Sequence, residues 1–165
     1  GSIDPNKLRT LIDFVSRYYH AVVLDVPRLD QSLLEALDAA TGVLVVVNHE
    51  LPTLRSAYRL VASLRQKFGD RVQVVVNRSD KTAEIGIEDI QKTVGVKIRH
   101  VFPNDYRQAV AAINKGQPMA ESTQGRLPES FHTFARALTG QGREEPAPET
   151  GGGLLGWLSP RRSTS

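Results

Sequence analysis

Cysteine is absent from this 165-residue sequence. Disulfides, thiolate metal sites and cysteine nucleophiles are therefore excluded, and the absence fits a reducing cytoplasm. An excess of one charge is also lacking: the net charge is +3, and the lysines and arginines are scattered rather than clustered. We therefore expect no nucleic-acid partner. The apolar runs are far shorter than the roughly 20 residues that a membrane-spanning helix needs.

The sequence also lacks a starting Met and a recognisable secretory signal peptide. Gly1 and Ser2 are explained either by cloning or by the edge of a fragment, and in both cases we expect further sequence upstream. The four histidines are scattered, without the spacing of a metal site. They are predicted to be ordinary turn or surface residues.

Short apolar runs that end at turn residues predict buried strands. They lie at 21–26, 43–47, 72–76 and 98–102. Apolar residues at helical spacing predict helices around these runs. The helices are expected at 5–19, 30–37, 52–68, 87–94 and 106–115, and from Pro128 onwards. Because strands alternate with helices, the sequence predicts an α/β fold with a parallel sheet flanked by helices.

The composition divides the chain into three parts. Residues 3–139 carry the strand and helix patterns and are expected to form one domain. Residues 140–153 are polar and rich in Pro and Gly, which predicts a disordered linker. In the tail, 154–165, the segment Leu154–Leu158 is a short apolar patch that precedes two arginines. It fits peripheral contact with an anionic membrane or a partner groove, but glycine and proline in the tail disfavour a helix, so a disordered tail is the favoured alternative.

The first predicted strand is followed by a candidate functional carboxylate. Asp25 comes after the apolar run Ala21–Leu24 and shortly before Pro27, which cannot donate to a strand ladder. Ligands of open α/β sheets bind beyond the carboxyl ends of the strands, where Asp25 is expected. The alternative is that Asp25 only caps the turn into the next helix, and its position alone leaves both open.

Polar residues stand at the carboxyl end of every predicted strand. They are Asp25 for the first strand, Asn48 and Glu50 for the second, Asn77, Arg78 and Asp80 for the third, and Asn104 and Asp105 for the fourth. In a parallel sheet these ends share one edge, so the pattern favours a ligand crevice there. The alternative is ordinary turn chemistry, because turns favour Asn and Asp in any case.

The third of these clusters is the most specific. An apolar strand that ends in Asn77-Arg78-x-Asp80 resembles the base-recognition element of P-loop nucleotide-binding proteins. An Asn amide can pair with a purine edge because it offers a donor and an acceptor side by side. Asp80 raises the possibility of guanine, since a carboxylate accepts from its exocyclic amine and ring N–H. The alternative is that Asn77 and Asp80 only build a tight turn.

Together with the other clusters, this element resembles the MinD/ParA group of P-loop ATPases. Asp25 at the end of its apolar run resembles a Walker B carboxylate, and the segment Pro103–Pro118 resembles the family's Pro-x-Asp loop, helix and Asn-x-Gly-x-Pro. The sequence of that segment is most similar to the CpaE/TadZ branch, which localises and assembles Tad (Flp) pili. The resemblance covers about residues 5–138.

The resemblance implies roles for six residues and two cofactors. Asp25 would be the catalytic carboxylate and would help to hold Mg²⁺, and the base pocket would be formed by Asn77, Arg78, Pro103, Asn104 and Asp105. ATP and Mg²⁺ are the expected cofactors of the intact family domain. For this chain alone, the alternative is that it binds neither.

The main departure from the family is that no Gly-x-x-x-x-Gly-Lys-Ser/Thr motif is present. Such a loop cradles the phosphates on backbone N–H groups. The resemblance therefore implies the C-terminal portion of a P-loop NTPase domain of MinD/ParA type, incomplete without the P-loop strand. We expect such a chain not to hydrolyse ATP alone, because triphosphate hydrolysis depends on that electrostatic stabilisation. The alternative function is a nucleotide-independent scaffold for a secretion or pilus machine.

In the family, the P-loop strand lies between the strands that correspond to 21–26 and 43–47. Its absence predicts apolar strand edges. We expect the chain either to pair 21–26 directly with 43–47 or to associate with itself or with an upstream half-domain. Pilus or secretion machinery is a further expected partner. The expected location is the cytoplasm, with a peripheral position at the inner face of the membrane as the alternative.

Overall fold

The computed structural model describes residues 4–26, 34–35, 37–122 and 124–140. The helices are α1 (Pro5–Ser16), α2 (Leu51–Phe68), α3 (Ile87–Val94), α4 (Tyr106–Lys115) and α5 (Arg126–Thr139), with 3-10 turns at Gly69–Arg71 and Met119–Glu121. The strands are β1 (Val43–Val47), β2 (Val72–Ser79) and β3 (Ile98–Pro103). No helix within the described ranges is both long enough and apolar enough to cross a bilayer.

The three described strands form one parallel sheet in the order β1-β2-β3. Val43 pairs with Val72 at the start of β1, and Val47 pairs with Val76 at its end. On the other side of β2, Ser79 pairs with Pro103 at the end of β3. The carboxyl ends of the strands therefore share one edge, as the sequence predicts. The α/β fold with a parallel sheet flanked by helices is confirmed.

The larger core lies between one face of the sheet and helices α2 and α3. Its members are apolar and nearly inaccessible to solvent: Leu37, Val45, Val47, Leu54, Ala57, Val61, Leu64, Phe68, Val72, Val74, Val76, Ile90 and Val94. Helix α2 contributes one stripe of residues at helical spacing, because a surface helix buries a single face. Burial of this apolar surface is the main stabilising contribution to the fold.

A second, smaller core lies on the opposite face of the sheet, beneath α5. Val75 and Phe102 pack there with Leu127 and Phe134. The rings of Phe102 and Phe134 meet edge to face, with centroids 5.3 Å apart, a favourable aromatic geometry. His100 joins this cluster, with its ring centroid 4.8 Å from that of Phe134. The prediction that His100 is a turn or surface residue is therefore wrong, since His100 lies in β3 and is half-buried.

The predicted strand at 21–26 is wrong. The structure assigns no strand to these residues, and β1 pairs only with β2 among the described strands. Val22, Val23 and Leu24 remain 38%, 88% and 40% exposed. An apolar run forms a strand only where a neighbour accepts its backbone hydrogen bonds, and the described residues offer none here. The first of the two expected outcomes, direct pairing of 21–26 with 43–47, is therefore wrong.

Other boundaries shift by a few residues. Helix α1 ends at Ser16 instead of Tyr19, β2 continues beyond Val76 to Ser79, and α5 begins at Arg126, before Pro128. Strand β2 is longer because Ser79 still pairs with Pro103. Parts of the sequence predictions lie outside the described residues: the start of the helix at 30–37, the linker beyond Gly140 and the tail 154–165.

Candidate functional site

The ends of β2 and β3 are joined at the carboxyl edge of the sheet. The carbonyl oxygen of Ser79 accepts a hydrogen bond from the backbone N–H of Asn104, with an N···O distance of 2.9 Å. This contact continues the pairing of Ser79 with Pro103. It brings the predicted site residues of the two strands to the same edge.

Asn77 and Arg78 lie in an irregular part of β2. The register of the β2–β3 ladder shifts between Val76 and Ser79, and Arg78 has a positive φ of 52°, which is uncommon for a residue other than glycine. The side-chain Oδ1 of Asn77 accepts from the backbone N–H of Arg78 at 2.9 Å. The amide Nδ2 of Asn77 takes no part in that bond. Asn77 is half-buried and Arg78 is exposed.

The acidic residues at this edge are used locally. Asp80 Oδ1 accepts from both the backbone N–H and the hydroxyl of Thr82, each at 2.9 Å, and these bonds lower the pKa of Asp80 because they favour its charged form. Asp105 caps α4, since its Oδ1 accepts from the backbone N–H of Gln108 at 3.0 Å. Both contacts agree with turn and cap chemistry. Asn104, which precedes Asp105, is exposed.

A cavity of about 340 Å³ opens beside these residues. It is lined by His49, Ser79, Asp80, Lys81, Ala83, Ile85, Gly86, Ile87, Val101, Pro103 and Arg126. Its volume is within the range of small-molecule sites. Pro103 is the one member of the predicted base pocket that lines it. Asn77, Arg78, Asn104 and Asp105 lie at the same edge of the sheet, but they do not line the cavity.

His49 makes hydrogen-bonding contacts to two other segments that line this cavity. Its Nδ1 is 2.7 Å from the carbonyl oxygen of Ile85, and its Nε2 is 3.1 Å from the hydroxyl of Ser79. A carbonyl only accepts, so Nδ1 carries the hydrogen. In the neutral imidazole, Nε2 is then the acceptor for the Ser79 hydroxyl. The end of β1 is thus tied to the end of β2 and to the loop before α3.

Sequence reasoning missed His49, Ser79 and Arg126. His49 follows Asn48 at the end of a predicted strand, so the pattern that selects Asn48 could have selected His49 as well. Arg126 has no comparable signal, because it reaches the cavity from the start of α5, far along the chain. It follows Gly125, whose φ of 113° is a backbone conformation that glycine adopts most easily.

Asp25 is not brought to this cavity. It is exposed, lies in the segment after α1 that has no regular secondary structure and is not a lining residue. Within the described ranges, no three His, Asp or Glu side chains are close enough to hold a metal ion together. A single exposed carboxylate is a weak magnesium site, since Mg²⁺ is usually held by one or two carboxylates together with substrate phosphates.

The residues present fit one part of a nucleotide better than the other. At the carboxyl edge, the half-buried amide of Asn77 offers groups that suit a base edge. Pro103 adds an apolar wall to the cavity, which Asn77 does not line. The phosphates would require closely spaced backbone N–H donors and a lysine, and the sequence contains no such glycine-rich motif. Chemistry at the phosphates therefore requires groups beyond the residues of this edge.

Comparison with characterised sequences finds relatives at low identity. No family model matches the chain. It is 27% identical over 149 residues to the septum site-determining protein MinD of Thermotoga maritima, which covers 85% of this chain and 54% of the relative. It is also 27% identical over 143 residues to a putative MinD of Tupiella akineta, with 82% and 45% covered. The chain thus spans about half the length of the curated relatives it matches.

Solved structures agree on the fold. A ParA family ATPase from Chlorobium tepidum superposes with a TM-score of 0.74 at 22% identity, covering 81% of this chain and 57% of that one. MinD from Aquifex aeolicus gives a TM-score of 0.73 at 24% identity, with 84% and 61% covered. The fold is that of the ParA/MinD P-loop NTPase structures, and the sequence is homologous at low identity to MinD/ParA-like ATPases.

Proposed function

We propose that this chain supplies the base-binding portion of a MinD/ParA-type ATP site. The proposal depends mainly on one observation. The hydrogen bond between Ser79 and Asn104 gathers Asn77, Arg78, Pro103 and Asp105 at one edge of the sheet. These are the positions that the resemblance assigns to the base pocket, and ligands of parallel α/β sheets bind at such edges.

Asp25 has a distinct place in this proposal. Its assignment as the catalytic and Mg²⁺-associated carboxylate comes from the resemblance to a Walker B strand. In the structure it stands in an exposed segment that is not part of the sheet. Asp25 would therefore act only when residues 21–26 pair with a further strand. We propose that this chain alone does not hydrolyse ATP.

The finer assignment is to the CpaE/TadZ proteins that localise and assemble pili. It is supported by the segment Pro103–Pro118, in which α4 follows Asn104 and Asp105 and is capped by Gly116. The sequence of this segment is most similar to the pilus branch. Under this proposal the partners are pilus or secretion machinery, and the location is the cytoplasm or the inner face of the membrane.

The alternative is a scaffold that works without nucleotide. It is favoured by the turn contacts of Asp80 and the helix cap of Asp105, which occupy polar groups of the edge. It is also favoured by the exposed apolar residues Val23 and Val46, at 88% and 59%. Such surfaces commonly mark sites of protein association.

A titration distinguishes the two proposals. Backbone amide NMR spectra of the full chain are recorded while ATP or GTP with Mg²⁺ is added. Without a phosphate cradle, we expect weak binding, with a Kd of about 1 mM, equivalent to about 4 kcal/mol. The shifts are expected at Asn77, Arg78, Asn104 and Asp105. A scaffold would show no localised shift.

A matched pair of variants tests the assignment of the edge. Asn77→Ala should abolish the localised shifts because it removes the amide proposed to pair with the base. Asn6→Ala, on the exposed surface of α1, should leave them unchanged. Equal behaviour of the two variants would contradict the base-pocket assignment. Saturable micromolar binding by calorimetry would contradict the absence of a phosphate cradle.

A further inference from the structure

A second, larger cavity of about 560 Å³ lies at the opposite, amino edge of the sheet. It is lined by Arg65, Asp70, Val72, Gln73, Gly95, Val96, Lys97, Ile98 and Arg99. Its members include the first residues of β2 and β3 and the turn that follows α3. None of them belongs to the candidate site at the carboxyl edge.

A bulge in β3 places Arg99 at this cavity. Val74 pairs with Ile98, while the next residue of β2, Val75, pairs with His100. Arg99 is thus the extra residue of β3. Bulges are rare in parallel pairs, and they re-aim the side chain of the extra residue. Ile98 packs against the core beneath α2 and α3, and both Ile98 and Arg99 line the cavity.

The charges around the cavity do not balance. Arg65 Nη2 is 3.3 Å from Asp70 Oδ1, so one cation has a carboxylate partner. Lys97 and Arg99 have none among the residues that the structure describes. Arg99 makes one long contact, from Nη2 to the carbonyl oxygen of Ala137 at 3.4 Å. A guanidinium has five N–H donors, so most of its donors remain available to a ligand.

We propose that this cavity binds a small multivalent phosphate anion. Arg99 and Lys97 would hold its charge, and the amide of Gln73 would donate a further hydrogen bond. Both cations would attract an anion in the cavity, and guanidinium groups suit phosphate oxygens because they donate two parallel bonds. The cavity is large enough for such an anion, since ligand sites typically measure about 300–1,000 Å³.

Inorganic pyrophosphate is the probe that tests this site. It is titrated into the full chain at constant ionic strength, balanced with sodium chloride, and followed by backbone amide NMR. We expect saturable shifts at Gln73, Lys97, Ile98 and Arg99. The assignments separate this site from the carboxyl edge, where shifts at Asn77 and Asn104 would report the proposed nucleotide function instead.

Charge-matched variants complete the test. Arg99→Gln should raise the Kd for pyrophosphate about tenfold, because it removes a charge-assisted pair. Lys115→Gln, at the end of α4, removes the same charge elsewhere and should leave the Kd unchanged. Thermal melts verify that both variants fold. The proposal would be overturned by shifts spread over all basic residues, by equal effects of the two variants, or by no saturable shift at Lys97 and Arg99.

Discussion

The imidazole Nε2 of His49 lies 3.1 Å from the hydroxyl of Ser79. This contact connects residues that are 30 positions apart and that follow or end adjacent strands. The carbonyl oxygen of Ser79 in turn accepts a hydrogen bond from the backbone N–H of Asn104. A chain of two hydrogen bonds therefore crosses the carboxyl ends of all three described strands, and His49 begins it.

Replacing His49 should loosen this edge. In His49→Ala, the carbonyl oxygen of Ile85 and the hydroxyl of Ser79 both lose their imidazole partner. Because a partly buried polar group without a partner is costly, we expect the free energy of unfolding to fall by about 1–3 kcal/mol. Urea denaturation followed by circular dichroism measures the change.

His132→Ala provides the control for that prediction. His132 is exposed on α5, so its replacement should change the free energy of unfolding by less than about 0.5 kcal/mol. A second control is Ser79→Ala, which removes only the hydroxyl contact and should cost less than His49→Ala. If His49→Ala and His132→Ala unfold at the same urea concentration, the proposed role of His49 at the edge is wrong.

The fold can be predicted from the sequence to a large extent because its signals are local. The apolar runs of β1, β2 and β3 and the helical spacing in α2 each depend on neighbouring residues. The run at 21–26 carries the same signal, yet it forms no strand. A strand also needs a partner, and the partner is not encoded in the run itself.

The candidate site is less predictable for the same reason. The resemblance implies a place for Pro103 in the base pocket, and the structure puts it on the wall of the cavity. Arg126 reaches that cavity only through the packing of α5 on β3, which no local pattern indicates. Arg99 depends on a bulge, and a bulge is a property of the register between two strands rather than of either strand alone.

The stability of the chain should depend on pH through His100. Burial, the largest cause, lowers the pKa of His100 below its ordinary value of 6.5, and the charge of Arg99 adds to this, while the contact with Ser130 opposes it. The unfolded chain therefore takes up the proton first as the pH falls. Since stability rises with pH wherever the unfolded state binds more protons, this contribution is complete above about pH 6.5 and is lost progressively below it.

Urea midpoints at about pH 7.5 and about pH 5.5, on either side of the ordinary histidine pKa, provide the measurement for His100. We expect the urea midpoint of the wild type to be lower at about pH 5.5 than at about pH 7.5. His100→Asn should show a smaller decrease. His132→Asn is the matched control on the same side of the sheet, and it should keep the wild-type difference. A fall of equal size in all three proteins would show that the pH dependence arises at other groups.

Core packing is tested by one substitution at two positions. Ile90 in α3 is fully buried in the larger core, whereas Ile113 in α4 is 77% exposed. Ile90→Ala should lower the free energy of unfolding by about 2–5 kcal/mol, because it removes buried methyl groups and leaves a cavity. Ile113→Ala should change it by less than about 0.5 kcal/mol. Similar losses at both positions would contradict the described packing of α3 and α4.

The free side of β1 motivates the last prediction. The outer edge of β1 has no strand partner among the described residues. Leu44 and Val46 on this strand are 38% and 59% exposed, and Val23 in the segment after α1 is 88% exposed. Exposed strand edges with apolar side chains pair readily with other chains. This surface is therefore where self-association or a complementary half-domain is expected.

Val46→Lys should suppress self-association of the chain. A charge on β1 opposes both edge pairing and apolar contact, so the weight-average mass in sedimentation should fall towards that of the 18.2 kDa monomer. Val46 is already 59% exposed, and the folded monomer should therefore tolerate the lysine, which circular dichroism verifies. Ile113→Lys adds the same charge on α4 and should leave the mass unchanged. A wild-type chain that sediments as a monomer at every concentration would exclude self-association. A complementary half-domain would then be the expected partner for the free side of β1.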